Sequence, residues 1–340
     1  MTHTPVLGII GGGIRGSLFA RSIQENNAAQ LGALCDPRPL ARANASAAFG
    51  VPAFATVDEM IAAVPELTAA VIATPDFAHR DAAVLCASNG LDLMVEKPLA
   101  TNTADARAIV DAAKNAGTRI MVGFENRWNP RFNIVHSLLH EADHGQILNQ
   151  IGNLNDTLFV PTTMLSWAAK SSPAWFLMPH SLDLAIWLGG ALPVEVHAVG
   201  VKKMLPAMKI DTWDAITATF TMSDGSYVVL NSSWVLPTSA PAVYDFRYEI
   251  QTTRGAFHID GANHGVTHYS SDRLTWEQWG VLERGGRISG VPVDMVNDFV
   301  ELLLGTKSDL PDAADGLLVT QAIEAVHESL EKNRAVTIAS

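Results

Sequence analysis

From Val6 to Gly123 short apolar runs alternate with helix-like segments, a rhythm that predicts βαβ units around a parallel sheet. Val6–Ile10, Leu31–Cys35, Ala69–Ala73, Leu91–Val95 and Arg119–Val122 read as strands. The helical segments Arg80–Ser88 and Ala104–Ala116 run into Asn89-Gly90 and Gly117, residue types that close a helix in the left-handed conformation with little strain. Thr56-Val57-Asp58-Glu59 has capping-box spacing and opens a further short helix.

After Asn129-Pro130 the pattern changes to one amphipathic helix ending near Glu141, a turn at His144-Gly145, and then longer segments of alternating polarity. Ile216, Ala218, Phe220 and Met222 alternate with threonines, and Ser223-Asp224-Gly225 turns the chain into Tyr227–Val235, which predicts a β-hairpin. Val194–Val201, Tyr244–Thr252 and Ala256–Ile259 add strands, while Val293–Leu304 and Ala313–Lys332 read as helix. The expected class is α/β: a doubly wound parallel sheet over residues 1–124, then an α+β domain over 125–340 with a largely antiparallel sheet covered by helices on one face.

Composition narrows the function classes. A chain of 340 residues exceeds one ordinary core, and 48% hydrophobic against 17% charged residues describes well-buried globular domains. A net charge of -12 leaves no basic excess to neutralise phosphates, so nucleic acid is not an expected partner. Met1–Pro5 lacks the basic and apolar pattern of an export signal, and no run of about 18 apolar residues occurs, so no membrane span is expected. Only Cys35 and Cys86 occur, which suggests neither a disulfide framework nor a zinc cluster and fits a reducing cytoplasm. His258, His264 and His268 lie along strand-like sequence without a matching carboxylate cluster, so no metal site is read.

The chemistry begins at Gly11-Gly12-Gly13-Ile14-Arg15-Gly16, which places Gly11, Gly13 and Gly16 in G-x-G-x-x-G spacing between a strand and a helix. Gly11 makes the tight turn, Gly13 lets the backbone approach a pyrophosphate, and Gly16 lets helix pack on strand. The helix start at Ile14 and Arg15 supplies unpaired N–H groups and the positive end of the dipole. Asp36 ends the second strand about 20 residues on, where an acid hydrogen-bonds the adenosine ribose hydroxyls. The domain is therefore read as a Rossmann-type dinucleotide domain that takes NAD in preference to NADP, because Asp36 repels a 2′-phosphate. Arg38 and Arg42 soften that preference.

Thr74-Pro75-Asp76 and Glu96-Lys97-Pro98 end two further strands, and open parallel sheets bind ligands at the carboxyl ends of their strands. The glycine loop, Cys35-Asp36-Pro37-Arg38, Thr74-Pro75-Asp76-Phe77-Ala78-His79, Glu96-Lys97-Pro98, Gly123–Pro130 and His180-Ser181-Leu182-Asp183 follow the order and spacing of the Gfo/Idh/MocA oxidoreductases. The chain resembles that family over nearly its whole length. The resemblance implies an open-faced C-terminal domain, a homo-oligomer (dimer or tetramer), and a sugar or polyol substrate. It also implies cofactor contacts from Gly11, Gly13, Ile14, Arg15, Gly16, Asp36, Arg38, Thr74, Pro75, Asp76, His79, Glu96 and Lys97.

Oxidising a secondary hydroxyl requires a group that accepts or relays its proton. By similarity to the family, Lys97 hydrogen-bonds the reacting hydroxyl and His180 acts as acid/base. Burial suits the lysine by lowering its pKa, and histidine titrates near working pH. Trp167 and Trp175 are candidates to stack on a sugar face, with Arg127, Asn126, Asn155 and Asp183 as polar contacts or, for Asp183, a structural partner of the His180 helix. The sequence departs from many relatives where an aspartate precedes the histidine by four residues: that position is Phe176. Asp156 and Asp183 are conceivable substitutes. The expectation is an NAD-dependent sugar or cyclitol dehydrogenase, with two alternatives: an enzyme that recycles its NAD in epimerisation, elimination or glycoside cleavage, and a dinucleotide-binding regulatory protein.

Overall fold

The computed structural model describes residues 4–141, 143–278 and 280–338. Met1–His3, part of the stretch read for an export signal, lie outside the described residues. The first elements are β1 Val6–Ile10, α1 Ile14–Glu25, β2 Gln30–Cys35, α2 Pro39–Phe49, β3 Ala53–Phe54, α3 Val57–Ala63, β4 Ala69–Ile72, α4 His79–Ser88, β5 Asp92–Glu96, α5 Thr103–Ala116 and β6 Ile120–Gly123. Then come α6 Pro130–Glu141, β7 Ile147–Thr157, α7 Pro173–Phe176, α8 Met178–Gly189, β8 Pro193–Val201, α9 Met204–Ala207, β9 Ala215–Met222, β10 Tyr227–Leu236, β11 Tyr244–Thr252, β12 Gly255–Asp260, β13 Thr267–Tyr269 and β14 Leu274–Trp276. The chain closes with β15 Val281–Arg284, β16 Arg287–Gly290, α10 Val291–Leu304, α11 Ala313–Lys332 and β17 Val336–Thr337.

Two compact units result. The first comprises Met1–Glu125 together with Gly280–Leu317, and the second Asn126–Trp279 with Leu318–Ser340. In the first, six parallel strands run in the order β3-β2-β1-β4-β5-β6, the doubly wound topology whose direction reverses between β1 and β4. Both faces of this sheet are covered, which is why β1 and β4 are continuous apolar runs, buried throughout, rather than alternating ones. The Thr56 hydroxyl caps α3 by accepting from the Glu59 amide, the Glu59 carboxylate accepts in return from the Thr56 amide, and Gly117 closes α5 at φ 72°, as the spacing predicts. The segment Gly280–Leu317 returns to this unit: Glu25 of α1 accepts from the Ile288 amide at 2.7 Å, and Asn26 bonds Asn297 of α10.

The second unit is built on a seven-stranded sheet, order β12-β11-β7-β10-β9-β8-β17. Every pairing is antiparallel except β7 with β10, so the sheet is mixed but largely antiparallel. On β7, Gln150 donates to the Ala185 carbonyl of α8 and accepts from Tyr248, which marks the helix-covered face. Alternation then puts Gly152, Leu154 and Asp156 on that face and Asn153 and Asn155 on the opposite one.

Candidate active site

The phosphate-binding turn is set by backbone crowding. Gly11 has φ 104°, and a Cβ there would stand 2.5 Å from the Ala73 carbonyl oxygen. A Cβ on Gly16 would lie 1.7 Å from the Gly11 oxygen, so α1 passes its own turn at a distance that only glycine permits. A Cβ on Gly13 would meet nothing within 4 Å: here the turn faces open space. Gly13 is also the N-cap of α1 and supplies no side-chain cap, and the first turn carries no acid. Its N–H groups and dipole thus remain for an anion, and Ile14 is an exposed residue at this end. The turn fits a dinucleotide pyrophosphate.

Asp36, 3% exposed, holds the turn from the adjacent strand end. Its Oδ2 accepts from the Gly12 amide at 2.8 Å, and Arg38 donates from its backbone N, Nε and Nη2 at 2.8 to 3.0 Å. Although burial opposes ionisation, these donors keep the Asp36 carboxyl below its ordinary value. A charged carboxylate at this position is the ribose-binding group expected for NAD.

Two further strand ends carry the other cofactor candidates. Thr74, Pro75 and Asp76 follow β4, with Asp76 buried and accepting from the Phe77 amide. His79, fully buried at the start of α4, reaches the Pro98 carbonyl with Nδ1 at 2.8 Å and the Thr74 carbonyl with Nε2 at 3.1 Å. It thereby ties the β4 loop to the segment after β5, where the Lys97-Pro98 peptide is cis. Burial holds this imidazole below its ordinary value, although Asp76 and both carbonyls favour the charged form. Burial likewise lowers the half-buried Lys97 ammonium, against the raising influence of Glu96 and Glu125, while Arg15 lowers it and Asp76 raises it. Arg15 does not reach for solvent: its guanidinium bonds Glu96 and Glu125.

In the second unit, His180 lies near the start of α8, half-buried, one turn after Phe176. The amide of Asn126 stands 3.3 Å from its Nδ1. Whichever way the amide is turned it is neutral, so it can orient the ring but does not stabilise an imidazolium as a carboxylate would. Both oxygens of Asp183, three residues further along α8, accept from Arg127 at 2.6 and 3.0 Å in a buried ion pair. Asp156 lies buried on β7, opposite Tyr244.

Phe176 is framed by aromatics: Trp167 and Trp234 meet it edge to face, with centroids 6.1 and 5.8 Å away. Trp234, fully buried, has no signal in the sequence beyond its size. Trp175 packs elsewhere, buried and stacked at 5.3 Å on His327, whose Nε2 lies 3.0 Å from the Ser172 hydroxyl that caps α7. Asn155 receives from Asn231, which also accepts from Thr217, in a polar ladder on the sheet face opposite α8. Trp175 and Asn155 are therefore engaged inside the unit, whereas Trp167 and Phe176 keep partly exposed rings. Among the described residues no group of three or more His, Cys, Asp or Glu is arranged to hold a metal, and no helix is long and apolar enough to cross a membrane.

Comparison with known proteins identifies the family and the fold. Residues 6–124 match the oxidoreductase family with an NAD-binding Rossmann fold, and residues 134–258 match the GFO/IDH/MocA C-terminal domain. The chain is 26% identical over 252 residues to an inositol 2-dehydrogenase of Rhizobium meliloti, covering 73% of each. It is 28% identical over 232 residues to a UDP-N-acetylglucosamine 3-dehydrogenase of Acidithiobacillus ferrooxidans, covering 67% of each. The structure of scyllo-inositol dehydrogenase from Lactobacillus casei with bound NAD(H) and scyllo-inositol superposes with a TM-score of 0.84 at 21% identity, over 99% of this chain and 100% of that one, which shows a shared fold.

Proposed function

The chain belongs to the Gfo/Idh/MocA oxidoreductase family, and we propose that it transfers a hydride between NAD and a secondary hydroxyl of a cyclitol, sugar or sugar derivative, with Lys97 and His180 handling the proton. The observation that carries the reading is the convergence at the strand ends of the first unit: a glycine turn open to an anion, a charged Asp36, and a lysine held below its ordinary pKa. NAD, held by the Gly11–Gly16 turn and Asp36, supplies the hydride acceptor. Lys97, once neutral, takes the hydroxyl proton, so oxidation speeds up as pH rises through the depressed Lys97 value and slows below it. His180 relays that proton, with its ring oriented by Asn126. Trp167 and Phe176 offer aromatic surface to a ring face of the substrate, while the Arg127–Asp183 pair fixes α8 behind them.

The finer assignment is a cytoplasmic homo-oligomer, a dimer or tetramer. It is supported by two buried free cysteines and by exposed Val194, Val199 and Val201 on β8, and is tested by light scattering of the purified protein. The decisive experiment offers NAD and a panel of cyclitols, sugars and nucleotide sugars and follows NADH absorbance. Turnover lost in Lys97→Ala is expected; full turnover in that variant, or NAD binding with no substrate oxidised, overturns the reading. One observation favours a second reading in which NAD is recycled within each turnover: the aromatic setting of Phe176 beside His180, where many relatives carry an aspartate. Product formed without net NADH would establish it.

A further inference from the structure

The side chain of Arg15 leaves the phosphate-binding turn and spans two carboxylates that flank Lys97. Its Nε and Nη2 donate to Glu96 Oε1 at 2.9 and 2.8 Å, and Nη2 also donates to Glu125 Oε2 at 2.9 Å. Glu96, the residue before Lys97, has a nearly inaccessible side chain, and Glu125 follows β6. The guanidinium also lies over the Phe19 ring, 4.8 Å from its centroid, one turn further along α1. A planar fork used in this way joins the first turn of α1 to the ends of two neighbouring strands.

We propose that Arg15 is a positioning residue for the proton-handling step, clamping Glu96 and Glu125 so that neither carboxylate is left to compete for the Lys97 ammonium. The inference rests on the reading of Lys97 given above. The charged groups facing Lys97 are Glu96 from β5, Glu125 beyond β6, Asp76 beyond β4 and Arg15 from α1. The buried imidazole of His79, next to Asp76 and Glu96, is held toward its neutral form. Three carboxylates favour the charged amine and one guanidinium opposes them. Removing Arg15 deletes the opposing charge and frees two carboxylates, both of which drive Lys97 toward permanent protonation. Removing the Glu125 charge does the reverse.

The test uses the full chain, Arg15→Gln and Glu125→Gln, with two readouts. One is the pH profile of kcat/KM for substrate oxidation. The other, in NAD-free protein, is the pH dependence of acetic anhydride labelling at Lys97, read by mass spectrometry of its peptide. Arg15→Gln is expected to move both midpoints up by about one pH unit and Glu125→Gln to move them down, with Arg15→Lys falling between Arg15→Gln and the unaltered chain. Midpoints that stay put, or that move the same way in both variants, overturn the proposal and leave Arg15 a structural tie. Should no hydroxyl be oxidised by the unaltered chain, the functional reading fails, while the labelling midpoints still decide the role of Arg15. Should Arg15→Gln fail to fold, Arg15→Lys decides it: a midpoint above that of the unaltered chain supports the clamp, and an unmoved midpoint overturns it.

Discussion

The two units present their candidate chemistry in different ways. In the first, every group stands at a strand end within a few residues of backbone that admits only glycine or a fixed turn, and charge pairs charge: Arg38 with Asp36, and Arg15 with Glu96 and Glu125. In the second, His180 rides on a helix with a neutral amide beside it and an aromatic ring one turn away, and Asp183 of the same helix is paired with Arg127. Backbone geometry makes the cofactor half intolerant of change. Side-chain packing shapes the second unit: Trp167 and Trp234 close around Phe176 edge to face.

The sharpest way to break this contrast is to remove one group from each half. Lys97→Ala should lower kcat for oxidation roughly 10²–10⁴-fold with NAD affinity little changed, whereas Phe176→Ala should act chiefly on KM. Steady-state kinetics with the best substrate of the panel checks both, and a larger kcat loss in Phe176→Ala would reverse the assignment of roles.

Next in size is Arg127→Leu, which removes the guanidinium that donates to both oxygens of the 1% exposed Asp183. Breaking one side of a buried pair costs about 3–5 kcal/mol, so urea unfolding should show a large loss of stability. Replacing both members, Arg127→Leu with Asp183→Leu, should recover much of it; a double variant as unstable as the single one would mean that the pair is not the source.

Asp36→Ala comes third. The carboxylate accepts from Gly12 and Arg38, and losing a charge-assisted acceptor costs about 1.5–3 kcal/mol, or roughly 10–100-fold in NAD affinity. Arg38, released from its pair, then becomes available to a 2′-phosphate, so the NAD/NADP preference should narrow. Titration of protein fluorescence with each dinucleotide measures the change, and an unaltered preference would show that Asp36 shapes the turn without reading the ribose.

Much of the fold was legible because its signals are local. The five main strands of the first unit, α4, α5 and the hairpin of β9 and β10 fall within a residue or two of their sequence pattern, since each is written in periodicity and closed by Gly, Asn or a capping box. What stayed hidden is long-range. The parallel pairing of β7 with β10 joins strands about 80 residues apart, and alternation reports a buried face but not a partner. The apolar stripe of α10 says that the helix packs, not that it returns to α1. The same holds for the site. Gly11, Gly16 and Asp36 announce themselves through spacing, whereas the clamp of Arg15 on Glu96, the Asn126 amide beside His180 and the Ser172–His327 contact arise only when distant segments meet.

That last contact supplies a test confined to the second unit. His327 is pushed down to about 4 by burial, its ring stacked on Trp175 and its Nε2 set against the Ser172 hydroxyl that caps α7. The unfolded chain binds a proton on this ring below about pH 6.5, and the folded chain only near 4, so its contribution to stability is complete above 6.5 and lost as pH falls through that window. The loss amounts to about 2–3 kcal/mol, because each pH unit of separation is worth about 1.4 kcal/mol and partial exposure trims the total. His327→Gln keeps a hydrogen-bonding group near Ser172 and cannot titrate. It should be less stable at pH 7 through loss of the stack, yet its urea midpoint should change less between pH 7 and pH 5 than that of the unaltered chain. His79 in the first unit is shifted in the same direction and remains in both proteins, so the difference between the two slopes belongs to His327. Equal slopes would assign the acid sensitivity to the first unit, and the second would then be anchored by packing alone.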